Sequence, residues 1–222
     1  WVERARTDPR ALEIVRRYHR RPAEELYDTV ADPHETRNLA GRPEHIRAVP
    51  NGVIVCEWGY DAGYPFDERA RTYAECGRPC WTAPGTSSWL TILGRVTNMR
   101  ANCTEAVDAA VAHGGMGMLN TDWGDQGHLQ SLPVSEPGLA YGAAVAWCAD
   151  ANRDIDLGAA LSTHCYGDPT GELGAALVQL GDVHRLLATQ LANVATLVLH
   201  LYWPQLGVGR WPLADIKAEE YS

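Results

Sequence analysis

Three clusters of aromatic, carboxyl and hydroxyl side chains punctuate the chain. The first is Glu57-Trp58-Gly59-Tyr60-Asp61, followed by Tyr64-Pro65-Phe66-Asp67-Glu68. The second is Pro84-Gly85-Thr86-Ser87-Ser88-Trp89, with Gly94-Arg95 behind it. The third is Asn120-Thr121-Asp122-Trp123-Gly124-Asp125-Gln126-Gly127-His128. Sugar sites need this mixture: an aromatic face for the C–H side of a pyranose, and fixed polar groups for its hydroxyls. A glycosidase adds a carboxylic acid and a second group that stabilises an oxocarbenium-like transition state. The candidate sugar-binding residues are Trp58, Tyr60, Trp89, Arg95, Asp122, Trp123, Asp125 and His128. Glu57, at a strand end, is the candidate general acid. The chain holds 8 Trp against 1 Phe, which suits such a site, although Trp also fills cores.

Other chemistries are weaker. Asp122-x-x-Asp125-x-x-His128 supplies oxygen and nitrogen donors of the kind metals take. A hydrogen-bonded turn at a strand end accounts for the same residues, and no metal or cofactor is expected. Asp67-Glu68 reads as the acidic first turn of a helix. Ser87 and Ser88 lack a G-x-S-x-G context. Gly114-Gly115-Met116-Gly117 lacks the Lys-Ser/Thr of a phosphate loop.

The elements that must hold these clusters alternate. Val53 to Trp58 is apolar and rich in β-branched residues, Asp67 to Glu75 reads as a short helix, and Pro79 to Ala83 reads as a strand. Asn98 to His113 is an Ala-rich helix stopped by Gly114-Gly115. Gly117 to Thr121 is a third strand, Glu136 to Asp150 a small-residue helix, and Leu173 to Ala192 a longer amphipathic one. Strands alternating with helices argue for a parallel sheet in an α/β domain. Chemistry then sits at the carboxyl ends of the strands, where all three clusters fall. A closed barrel of eight such units needs about 250 residues. The stretch from Val49 onward matches only the last three or so βα units of a TIM-type (β/α)8 barrel.

Residues 1–48 have a different texture from 49–222. Arg is dense, glycine is absent until Gly41, and Ala11 to Tyr18 suits one short amphipathic helix. The chain opens on Trp1 with no charged-then-apolar leader, as expected of a processed chain or a piece of a longer reading frame. Overall it has 19 Lys and Arg against 28 Asp and Glu, a net charge of −9. That charge disfavours nonspecific binding to nucleic acid or to an anionic membrane. The longest apolar run, Leu191 to Tyr202, is interrupted by Asn193 and His200 and falls short of the roughly 18 residues a span needs. Cys56, Cys76, Cys80, Cys103, Cys148 and Cys165 form no C-x-x-C pair. They read as scattered, reduced, buried thiols, which leans towards a reducing, cytoplasmic compartment.

Two family resemblances attach to these residues. Residues from 49 to about 200 resemble the carboxyl-terminal part of the glycoside hydrolase family 20-like catalytic barrel, the β-N-acetylhexosaminidase group. Its carriers are Trp58-Gly59-Tyr60 with Pro65-Phe66, Pro84-Gly85-Thr86-Ser87-Ser88-Trp89 with Gly94-Arg95, and Thr121-Asp122-Trp123-Gly124-Asp125 with Gly127-His128. The resemblance implies exo-acting hydrolysis of terminal N-acetyl amino sugars, with the substrate's acetamido oxygen as nucleophile. It assigns pocket lining to Trp58, Tyr60, Trp89, Asp122, Trp123 and Asp125. That mechanism needs an adjacent Asp-Glu pair in a Gly-rich context on an earlier strand, and Asp67-Glu68 does not match it.

Residues from 1 to about 45 resemble the carboxyl-terminal end of a sulfatase. The carriers are Pro22 to Asp28 and Asp32-Pro33-x-Glu35-x-x-Asn38-Leu39. In that family the tail is structural, and the C/S-x-P-x-R nucleophile motif is missing here. The combined expectation is a fusion of two truncated pieces: a hexosaminidase-type barrel end, without turnover, behind a sulfatase-like tail. The alternatives are a non-catalytic carbohydrate-binding remnant, a hydrolase with Glu57 as its acid, and a sulfatase-related protein acting on sulfated glycans. The expected partner is an N-acetyl amino sugar glycan. Self-association is expected through the sheet edges that a partial barrel exposes.

Overall fold

The structure, a computed structural model, describes residues 4–19, 43–50, 52–187 and 190–202. The chain divides into two compact units, Trp1–Asn51 and Gly52–Ser222. In the first unit, helix α1 spans Pro9–His19. Asp8 starts it as an N-cap, its Oδ1 accepting from the backbone N–H of Arg10 at 2.9 Å and of Ala11 at 3.3 Å. Pro9 suits the first helical position, where no N–H is needed. Helix α2 spans Pro43–Ala48 and buries Ile46. The sulfatase-like residues Pro22 to Asp28 and Asp32 to Leu39 lie outside the described residues.

The second unit is mixed α/β. Strands β1 (Val55–Trp58), β2 (Cys80–Ala83) and β3 (Gly117–Met118) form one parallel sheet in the order β1-β2-β3. Glu57 pairs with Thr82, Trp58 with Ala83 and Trp81 with Gly117. Helix α3 (Phe66–Glu75) follows β1, and α4 (Val96–Ala112) follows β2. After β3 come the single turn α5 (Asp125–His128) and the helix α6 (Leu132–Trp147). The short helices α7 (Ala149–Asn152) and α8 (Leu157–Leu161) precede a π-helical turn at Ser162–Tyr166. Helix α9 (Glu172–Leu180), a 3-10 turn at Val183–Leu186 and α10 (Thr196–Tyr202) follow. No helix among the described residues is long and apolar enough to cross a membrane.

Helix α4 organises the core. Its Val96, Met99, Cys103 and Val107 pack with Tyr141 and Val145 of α6 and with Leu157 and Leu161 of α8. Each such side chain contributes roughly 1.5–3 kcal/mol through burial. A second seam joins Phe66 and Ala70 of α3 to Ala106 and Ala109 of α4. Small residues there let the two helices approach closely while both cover the sheet. Val198 and Leu199 of α10 pack on Leu90, Ile92, Leu129 and Leu191, tying the last described helix to the loops at the strand ends.

Three sequence expectations change. The helix expected to run from Leu173 to Ala192 stops at Leu180. Gly181 lies against α4, its carbonyl accepting from Val96 N–H at 3.0 Å, and a Cβ there would fall 2.3 Å from Val96 Cγ2. The expected third strand is only two residues long, and a separate parallel bridge pairs Gly85 with Thr121. The thiols are all free, but only Cys80 and Cys103 are buried, whereas Cys56, Cys148 and Cys165 are exposed. Burial pushes the Cys103 thiol up to about 12, so it remains a neutral packing group.

Candidate functional site

The carboxyl ends of the three strands converge on a cavity of about 550 Å³. Trp58, Tyr60, Trp89 and Trp123 form its aromatic walls, and Asp125 and Asn193 are polar residues in its lining. Tyr60 is the hub. It stacks on Trp58 with centroids 5.4 Å apart. It meets Trp89 edge-on at 5.0 Å and Trp123 at 6.1 Å. Offset and edge-to-face pairs of this kind fix ring orientation. Burial raises the Tyr60 phenol above its usual value, against the lowering effect of hydrogen bonds with Thr121 and Trp123. Its hydroxyl therefore stays protonated at neutral pH.

The loops that carry these rings are held by α4. Asn102 is fully buried; its Nδ2 donates to Gly59 O at 3.0 Å and to Asp61 O at 3.1 Å, while its Oδ1 accepts from Gly85 N–H at 3.1 Å. One turn earlier on the same helix face, Asn98 Nδ2 donates to Tyr60 O at 2.7 Å and to Ser87 Oγ at 2.8 Å. The two asparagines staple the β1 loop to the β2 loop. Gly85 is required where it stands, because a Cβ would lie 2.3 Å from Trp89 Cη2 and 3.0 Å from Tyr60 Cδ1. Ser87 is buried at φ 55°, a left-handed conformation that persists only where the surroundings enforce it.

The remaining candidates have other placements. Asp122 is not in the cavity wall; its Oδ1 accepts from Thr86 Oγ1 and from Ser88 Oγ, both at 2.6 Å. Ser135 Oγ donates to Ser88 at 2.9 Å, so Asp122 anchors a hydroxyl cluster that fixes the β2 loop to α6. Arg95 is buried behind the site and pairs through Nη1 with Asp61 Oδ1 at 2.8 Å. Its Nε and Nη2 are buried without a partner among the described residues. His128 is exposed, at φ 62°, and does not line the cavity. Among the described residues no three His, Cys, Asp or Glu side chains gather to hold a metal ion, so Asp122, Asp125 and His128 make no such group.

Glu57 faces away from the cavity. Side chains alternate along a strand, so Cys56 and Trp58 point to one face of the sheet and Glu57 to the other. Glu57 is 2% exposed and lies beneath α3. Its Oε2 accepts from Tyr73 Oη at 2.7 Å, and its Oε1 accepts from Tyr64 Oη. The candidate acid and the aromatic cavity are therefore not brought together.

Sequence reasoning missed Asn98, Asn102 and Asn193. The first two carry a readable signal: an Asn pair four residues apart in an otherwise Ala-rich helix. Asn193 carries none, since it reaches the cavity only through tertiary folding. No protein-family model and no curated protein matches this chain.

Proposed function

We propose that this cavity is a sugar-binding pocket of glycoside-hydrolase type, related to the β-N-acetylhexosaminidase barrels. In this reading the three-stranded sheet is the last part of a (β/α)8 barrel and the chain binds a terminal N-acetyl amino sugar without hydrolysing it. The supporting observation is the four-aromatic cavity at the carboxyl ends of parallel strands, with Asp125 in its wall. Aromatic walls with a few polar groups suit a pyranose. The substrate-assisted chemistry of the hexosaminidase group needs an adjacent Asp-Glu pair as orienting group and acid; Asp67-Glu68 does not match it, and Glu57 is buried on the far face.

The open face of the sheet supports the barrel reading. Purely parallel sheets are covered on both faces. Here α3 and α4 cover one face, while Trp58 and Leu119 stand 45% and 52% exposed on the other. A barrel interior would enclose that face. In a partial barrel the free edges of β1 and β3 favour association of one chain with another. The Pro22–Leu39 motif is read as a structural, sulfatase-like tail.

Calorimetric titration with N-acetylglucosamine, and with glucose as control, tests the binding. The expected result is saturable binding of the N-acetylated sugar and no release of chromophore from a chromogenic N-acetyl-β-glucosaminide. Turnover abolished by Glu57→Gln would overturn the non-catalytic reading.

A further inference from the structure

We propose that Asn193 is a ligand-binding residue of the cavity, donating a hydrogen bond from its side-chain amide to an acceptor oxygen of the bound sugar. The inference rests on the sugar-pocket reading and extends it to a residue outside the three motif clusters. Asn193 sits on the tight turn whose ends, Leu191 and Val194, are joined by an antiparallel bridge. It also lines the aromatic cavity.

The orientation of its amide is fixed by chemistry. Trp89 Nε1–H can only donate, and it lies 2.9 Å from Asn193 Oδ1. The carbonyl end is therefore spent on a ring of the same cavity. The amide nitrogen is left with two protons and no partner among the described residues. Two other donors in the wall are committed, while Trp58 Nε1–H and the Tyr60 hydroxyl stand beside Asn193 as further donors. Trp123 Nε1 donates to Thr121 Oγ1 at 3.1 Å, and Thr121 Oγ1 donates to Pro84 O at 2.9 Å. Asp125 as a carboxylate only accepts. Asn193 thus supplies what the carboxylate lacks, and a sugar carries both donor and acceptor oxygens.

The backbone of Asn193 is clamped for this role. It adopts φ 60°, which Asn tolerates better than most residues. Its N–H donates to Asp61 Oδ1 at 3.1 Å, the same oxygen that the buried Arg95 engages. Two residues on, Ala195 N–H donates to Leu90 O at 3.0 Å. The Arg95–Asp61 pair is accordingly a positioning device: it fixes the turn that presents Asn193. This gives the buried guanidinium a function without ligand contact.

The test is calorimetric titration of wild type, Asn193→Asp and Asn193→Gly with N-acetylglucosamine and with glucosamine. Asn193→Asp keeps the shape, the left-handed backbone and the acceptor for Trp89, but replaces the donor by a second carboxylate. Asn193→Gly keeps the backbone conformation and deletes the side chain. Both should fold, with the Trp89 indole N–H still hydrogen-bonded and slow to exchange with solvent in Asn193→Asp. The expected result is an affinity for N-acetylglucosamine lowered about tenfold in both, as for loss of one good hydrogen bond. In Asn193→Asp the preference should shift towards the cationic glucosamine. If wild type binds N-acetylglucosamine and both variants bind it equally well, the role of Asn193 is overturned and the pocket reading stands. If wild type binds no sugar, the pocket reading fails and this inference falls with it.

Discussion

The two faces of the small sheet use neighbouring residues for opposite ends. On the helix-covered face Glu57 accepts from Tyr73 and Tyr64, and Thr82 Oγ1 donates to Ala106 O at 3.0 Å. Polar groups there are buried, matched and part of the packing. On the open face Cys56, Trp58 and Trp123 are exposed, and the two indoles meet Tyr60, which packs edge-on against the fully buried Trp89 at the back of the cavity. A strand of four residues therefore divides its labour by parity. One set of positions stabilises the fold, and the other offers apolar surface to a ligand. A carboxylate beside a tryptophan in sequence need not share a site with it.

The largest expected effect lies on the closed face. Glu57→Ala leaves two tyrosine hydroxyls facing a hole, and should lower stability in urea unfolding by about 3 kcal/mol. Glu57→Gln keeps an oxygen acceptor and should cost less than half of that. Neither change should alter sugar affinity in protein that remains folded. A specific loss of binding in Glu57→Gln at unchanged stability would break the division between faces.

Next comes the hinge between the faces. Gly85→Ala puts a methyl group 2.3 Å from Trp89, so the indole must move. Overpacking of this kind should cost about 2 kcal/mol of stability and also displace the aromatic wall, so calorimetric affinity should fall along with the unfolding midpoint. On the open face alone the pattern reverses. Trp58→Ala should weaken N-acetylglucosamine binding about tenfold. Its stability change should stay at about 1 kcal/mol in the same urea titration, the worth of its stack on Tyr60, because the ring is 45% exposed.

A control that touches neither face has the smallest effect. Asp168 accepts from Thr170 Oγ1 at 2.6 Å and from Leu173 N–H at 3.0 Å at the start of α9. These bonds, that of Thr170 foremost, hold its carboxyl down at about 2. A depressed carboxyl favours the fold above its unfolded pKa of about 3.9, and that advantage is lost as pH falls through about 2. Asp168→Asn should therefore be less stable than wild type at neutral pH. The gap should narrow between pH 4 and pH 2 in acid-unfolding curves, with sugar affinity untouched.

Much of the layout is legible in the sequence. The β-branched run ending at Trp58 and the Gly-Gly stop after Ala112 mark elements that the structure contains, because local propensity and tertiary packing agree there. Strand parity was equally available: period two alone separates Glu57 from Trp58. The end of α9 was not legible, since Gly181 is set by its approach to Val96, a contact 85 residues away in sequence, the same separation at which Asp182 accepts from Thr97. Nor was the place of Asp122, whose neighbours Thr86 and Ser88 belong to another loop. Asn193 lies furthest from sequence reasoning. Its amide matters only because Trp89, 104 residues earlier, consumes its carbonyl.

The most direct measurement follows the indole N–H resonances during titration with N-acetylglucosamine. The account predicts saturable shifts for Trp58, Trp89 and Trp123, with the solvent-exposed Trp147 unmoved. No saturable shift, or shifts that spare the three cavity indoles, would contradict it.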